Sequence, residues 1–161
     1  MSIEKLKKLE QEGKHVFHGS PNGSIKSLEP RQGRHVPDWS KPDETTLDGN
    51  PAVSATPYAE LATFRALINR ENVSINHTSG FGIRDGNAEF RVSSEDVLKE
   101  VKDKKGFVYV FDKNNFEPYK RDQVATTDSM EWRSYEEVEP SDVIEVTSKD
   151  MPSSDRIKIV E

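Results

Sequence analysis

The sequence predicts an α+β domain, and three observations carry that expectation. Val outnumbers Leu 14 to 7, a β-branched excess that favours strands and argues against an all-helical bundle. Amphipathic helical segments fall early and in the middle of the chain while strand candidates accumulate late, which is not the regular alternation of a doubly wound sheet. The chain has 161 residues, no internal repeat and no second domain boundary, so a single domain over 1–161 is expected.

Taken in order, Ser2 to Glu12 is polar with Ile3, Leu6 and Leu9 at roughly helical spacing, and Gly13 is a plausible stop. His15-Val16-Phe17-His18-Gly19-Ser20-Pro21 reads as a short strand running into a turn. From 33 to 50 the stretch GRHVPDWSKPDETTLDGN has two prolines and no periodicity, and so reads as a long polar loop of the kind that is functional or disordered. Pro51 to Thr56 is a strand. It feeds a helix with Thr56 as N-cap, Pro57 at the first helical position, and Leu61, Phe64 and Ile68 on the buried face.

Strands are expected at 72–76 and 88–92, around the turn-rich segment HTSGFGIRDGN. Ser93 and Asp96 resemble a capping box, opening a helix through Val97, Leu98 and Val101 to about Lys105. Gly106 to Phe111 is the most apolar run and the best central strand. Met130–Tyr135, Val143–Val146 and Arg156–Val160 complete the strands, the last alternating Ile157 and Ile159 with charges as a half-wet sheet would.

Composition narrows the function classes. Leu, Ile, Val and Phe make up just over a fifth of the chain and mean hydropathy is −0.82, enough for a thin core but close to the disorder-prone range. Cysteine is absent, which removes disulfides, thiolate metal sites and a Cys nucleophile. No apolar run approaches a membrane span and the N-terminus lacks a signal-peptide core, so a soluble cytoplasmic protein is expected. A net charge of −6 speaks against nucleic acid as the main partner. The P-loop, G-x-G-x-x-G, G-x-S-x-G and H-E-x-x-H patterns are missing. His15, His18, His35 and His77 show no metal spacing, so no metal is expected. The run Lys99–Lys105 reads as the solvated face of its helix.

One ordered constellation remains: VFHGSP, LEPR, PAVSATP followed by a helix, GFVYVF, and MEWRS with V-x-P and VIEV, spanning about residues 14 to 147. In that order it resembles the ADP-ribosyltransferase superfamily, in the branch with a His in the first strand and a Glu near the C-terminus. The resemblance implies a split, curved antiparallel β core that grips NAD as substrate, without a metal, and a possible protein acceptor for ADP-ribose. By the same resemblance His18 anchors a ribose, and Glu131 contacts the ribose 2'-OH and stabilises positive charge as the nicotinamide bond opens.

Around these two, Gly19 beside His18 would let backbone approach the nicotinamide amide. Ser20, Ser54, Thr56 and Tyr58 would stand at the cofactor. Arg31 would meet the pyrophosphate through its planar guanidinium, and Trp39 or Tyr58 could stack on a ring. The middle strand reads AVSAT, with Val53 and Ser54 where this branch carries an aromatic residue.

Two other readings stay open. One is a non-catalytic nucleotide- or protein-binding module on the same fold. The other is an RNA 2'-phosphotransferase, against which the acidic balance weighs. Thr56 as a simple N-cap, Arg31 as a solvated loop residue and Trp132 as core are the plain structural alternatives.

Overall fold

A computed structural model describes residues 1–35, 41, 43, 45–121 and 123–161. Trp39, and much of the segment read as a long loop, lie outside the described residues. The elements in chain order are α1 (Ser2–Glu12), β1 (His15–Ser20), β2 (Arg34–His35), β3 (Thr46–Leu47), β4 (Val53–Ala55), α2 (Ala59–Leu67), β5 (Ser79–Arg84) and β6 (Asn87–Val92). They continue with α3 (Glu95–Glu100), β7 (Lys105–Asp112), β8 (Glu117–Tyr119), β9 (Glu131–Ser134), β10 (Asp142–Thr147) and β11 (Ile157–Ile159). The architecture is mixed α+β.

The described strands form three small sheets of order β1-β7-β10, β4-β9-β8 and β11-β6-β5, plus the β2-β3 pair. All pairings are antiparallel except β11 with β6. The apolar run at 106–111 lies in β7, the middle strand of its sheet. Its alternation is used on both faces. Val108 and Val110 pack with Leu6, Phe17, Ala62, Ala66, Ile144 and Val146 beneath the helices. Tyr109 and Phe111 pack with Val16, Val53, Ala55, Phe116 and Trp132, between this sheet and β4-β9-β8. The other side of α2, through Leu61, Phe64 and Ile68, closes a third core over Phe90, Val92, Val97 and Ile157.

Helix α2 lies so close to the first sheet that side chains there are excluded. A Cβ on Gly19 of β1 would meet the Ala62 carbonyl oxygen and the Ala66 nitrogen, and one on Gly106 of β7 would meet the Ala66 carbonyl group. The small pairs Gly19/Gly106 and Ala62/Ala66 therefore set the helix–sheet distance.

Several expected elements differ from those observed. Residues 72–76 are not a strand; Asn72 instead uses its side-chain amide to bond the carbonyls of Ala66, Leu67 and Lys105 below α2. The strand lies one segment later, at β5, inside the stretch read as turn-rich. Only Asp85-Gly86 is the turn there, both residues at positive φ (51° and 78°), as a two-residue hairpin loop requires.

Helix α2 begins at Ala59 rather than Pro57. Thr56 still has strand geometry, because its N–H and C=O are bonded to Phe17. Its Oγ1 accepts from the Tyr58 N–H, and the Glu10 carboxylate of α1 accepts from the Ala59 N–H at 2.6 Å in the capping role. Likewise Ser94, not Ser93, precedes α3, and the Ser93 hydroxyl accepts from the Thr78 N–H. That helix ends at Glu100, followed by a single 3-10 turn over Val101–Asp103. Within the 33–50 segment, Arg34–His35 and Thr46–Leu47 are not loop: β2 pairs with β3.

Replacing Gly106 by Ala places a methyl group against helix backbone that cannot yield locally. The substitution is expected to destabilise the fold by about 2 kcal/mol, read as a lowered urea midpoint at unchanged slope; an unaltered midpoint would show that α2 can slide away freely.

Candidate functional site

One edge of β1 is fully paired with β7. The other meets β4 at a single bridge, with Phe17 N–H to Thr56 O at 2.7 Å and Thr56 N–H to Phe17 O at 2.9 Å. Beyond that bridge the two strands part. The next side chain, His18, crosses the opening, and its Nδ1 lies 2.8 Å from the Ser54 carbonyl oxygen. A carbonyl oxygen can only accept, so Nδ1 carries the proton, and Nε2 of the neutral ring is an acceptor with no partner among the described residues. Burial pushes the His18 pKa below its ordinary 6.5. The bond to the Ser54 carbonyl acts in the opposite sense, and the nearby positive charge of Arg31 lowers it further. Burial and the Arg31 charge thus both favour the neutral ring.

The wall opposite His18 comes from β4 and β9. Ser54 is paired across the ladder with Arg133, and Ala55 with Trp132. Period-two alternation therefore puts Glu131, Arg133 and Ser54 on one face while Trp132 enters the core. The Ser54 hydroxyl donates to Glu131 Oε2 at 2.8 Å, and Arg133 Nε donates to the same oxygen at 2.5 Å. Glu131 Oε1 has no partner among the described residues. His18, Ser54 and Glu131 thus form a continuous polar line across the split between the sheets.

Behind Glu131 lies a charged cluster that the sequence did not single out. Arg133 donates through Nη1 to the Asp48 carbonyl oxygen at 2.7 Å, and its Nη2 lies 3.1 Å from the Asp48 carboxylate. Arg121 grips that carboxylate through Nε and Nη2 (3.1 and 2.9 Å), and the Tyr119 hydroxyl donates to it at 3.0 Å. The Arg133 guanidinium also stacks on the Tyr119 ring, 3.5 Å from its centroid. Gly49 completes the seat: its φ is +69°, and a Cβ there would strike Arg133 Nη1 and the Tyr119 hydroxyl. The Arg121 hydrogen bonds hold the Asp48 carboxyl down to about 2 against its burial, with the Tyr119 hydroxyl and the charge of Arg133 adding to the effect.

A cavity of about 290 Å³ opens beside this line. Of the residues singled out from sequence, His18, Ser20, Arg31 and Ser54 line it, together with Arg133. Glu131 is not among the lining residues; it is bonded to two that are, Ser54 and Arg133. Gly19 turns its Cα to α2, so the close approach it permits is to that helix. Its N–H and C=O, two residues on from those of Phe17, point to the open edge of β1 by strand alternation.

Thr56 is buried at the bridge with its hydroxyl turned to Tyr58. Tyr58 lies outside the cavity, packed beside the α2–β6 core with its hydroxyl donating to the Asp128 carbonyl at 3.1 Å. Arg31 is exposed, is tied to Ala52 through backbone bonds, and has no ion-pair partner among the described residues. Arg133 was missed, although its place two residues from Glu131 on a strand is a signal that could have found it; Asp48 carried no sequence signal. Among the described residues no three His, Asp or Glu side chains come together as a metal would need, and no helix is long and apolar enough to cross a membrane.

Both perturbed groups make the fold acid-sensitive, in different windows. For His18 the folded pKa lies below the unfolded 6.5, so its contribution is full above pH 6.5 and falls as pH drops through the folded value. For Asp48 the contribution is full above the unfolded 3.8 and is lost as pH falls through about 2. That shift corresponds to about 2 kcal/mol.

In a proton-detected titration, His18 is expected to have a midpoint below 6.5; a midpoint at or above that value would contradict its burial. The substitution Asp48→Asn leaves Arg121 and Arg133 without their shared anion and is expected to cost about 3 kcal/mol at neutral pH. Chemical denaturation at pH 7 and pH 3 should show the gap between wild type and variant narrowing at the lower pH.

No protein family, no curated protein and no solved structure was found to match this chain.

Proposed function

We propose that the chain is an ADP-ribosyltransferase or NAD glycohydrolase that opens the nicotinamide–ribose bond of NAD in the cleft between β1 and β4, on a split β core of the ADP-ribosyltransferase type. The observation that carries this reading is the single line of His18, Ser54 and Glu131 across a gap between two sheets. It supports the roles the sequence resemblance implies for the first and last of the three.

The chemistry follows from the groups present. Neutral His18 offers Nε2 as an acceptor for a ribose hydroxyl without placing positive charge beside a centre that will itself become cationic. As the C1'–N bond breaks, nicotinamide departs with the electron pair and C1' and the ring oxygen share positive charge. Glu131, anionic and already fixed at Oε2, stabilises that charge through the remaining oxygen. A water or an acceptor nucleophile then bonds to C1' and releases its proton to solvent. Arg31, exposed at the mouth and free of carboxylate partners among the described residues, suits a phosphate. The open-edge N–H and C=O of Gly19 suit a carboxamide. The cavity is of a size for one half of a dinucleotide rather than the whole.

A second reading, a nucleotide-binding module without turnover, is favoured by one feature: Ser54, bonded to Glu131, stands where an aromatic would close over nicotinamide. Transfer of an RNA 2'-phosphate has less support. Of the two arginines at the cavity, Arg133 is already committed to Glu131 and Asp48, and the chain is acidic.

The substitution Glu131→Gln keeps shape and removes charge. It is expected to lower nicotinamide release at least about 100-fold while NAD affinity, measured by calorimetry, changes little. Full NAD cleavage by this variant would remove Glu131 from the mechanism; NAD binding by the wild type with no release of nicotinamide would favour the module.

A further inference from the structure

We propose that Arg133, itself anchored by Asp48, is a positioning residue for Glu131, so that the segment leading into β4 governs the rate of the reaction from behind the catalytic carboxylate. The inference rests on the reading of Glu131 given above.

A glutamate on a strand has three side-chain torsions and, when partly exposed, samples several rotamers. Glu131 is 27% exposed, whereas Arg133 is 3% exposed. The mobile partner is therefore the carboxylate and the fixed one is the guanidinium. Arg133 is fixed from three directions: Nη1 on the Asp48 carbonyl oxygen, Nη2 beside the Asp48 carboxylate, and the plane of the group against Tyr119. Asp48 is held against following a displaced Arg133, because Arg121 grips its carboxylate from a separate residue and the Tyr119 hydroxyl also donates to it.

One N–H from each Nη goes to Asp48, on one side of the guanidinium, and Nε–H meets Glu131 Oε2. The Ser54 hydroxyl converges on the same oxygen. One oxygen is thus clamped and the other is left for substrate. A guanidinium does this because its donors are rigidly coplanar; a lysine ammonium could reach Asp48 or Glu131 but could not aim one at the other. Misplacement of a reacting group by about 1 Å costs on the order of 100-fold in rate. The clamp matters for turnover in a way that burial of an ion pair alone would not require.

The test compares wild type, Arg133→Lys and Asp48→Asn under conditions where circular dichroism shows each fully folded. Arg133→Lys is expected to lower kcat about 100-fold, and Asp48→Asn, which does not line the cavity, about 10-fold. In both, KM for NAD should change less than about threefold. A folded Arg133→Lys with unaltered kcat, or a loss confined to KM, overturns the proposal.

A readout independent of turnover is the Arg133 Nε–H resonance in the full-length ¹⁵N-labelled protein, which is expected to be protected from exchange and to shift on Glu131→Gln. No shift overturns the proposal even if Arg133→Lys fails to fold. A wild type that releases no nicotinamide while the resonance still responds overturns the proposed reaction and supports the Arg133–Glu131 clamp.

Discussion

The structure depends on a bridge of two hydrogen bonds between Phe17 and Thr56. Among the described residues it is the one backbone pairing between β1 and the end of β4, and so links the sheet beneath the helices to the sheet that carries Glu131. Were the two strands paired along their length, the result would be one continuous sheet with no room for a ligand. Were they not paired at all, His18 and Glu131 would sit on separate surfaces. A single bridge, followed at once by divergence, gives a gap whose near end is pinned. The His18 ring occupies the first position past the pin, where its bond to the Ser54 carbonyl satisfies a strand edge that backbone no longer reaches.

What the sequence revealed, and what it concealed, divides along the same physical line. Segments governed by periodicity were legible: α1 through Leu6 and its neighbours, β7 through its unbroken apolar run, and β9 through the alternation of Glu131, Trp132 and Arg133. Ends governed by tertiary contacts were not. Thr56 has the composition of an N-cap but is held as strand by Phe17, and the cap of α2 comes from Glu10, almost fifty residues away in sequence. The strand β5 was hidden because its glycines read as turn formers, whereas Gly80 sits in the ladder opposite Arg91. At the candidate site, His18 and Glu131 were singled out through the family resemblance that the ordered short motifs carry. Asp48 could not, since a carboxylate in a polar segment looks like any of 29 acidic residues until the fold sets two arginines around it.

Charge is distributed against the average. The chain as a whole is acidic, yet two of the groups bordering the cavity are guanidinium ions with different assignments. Arg133 is spoken for, locked between two carboxylates and an aromatic ring. Arg31 is exposed beside His18 and helps to keep that ring uncharged.

The pair Asp48-Gly49 has a consequence for anyone who would re-engineer this protein. Segments bordering a cleft are the usual targets of randomised libraries, because surface connections tolerate change and carry recognition. Here the last residues before β4 do not behave as a free handle. Gly49 admits no side chain without striking Arg133 or Tyr119, and Asp48 is the seat on which Arg133 rests. A library that includes these two positions would sample the geometry of the carboxylate rather than the choice of ligand, and its survivors would be enriched for the parental residues whatever target was used for selection.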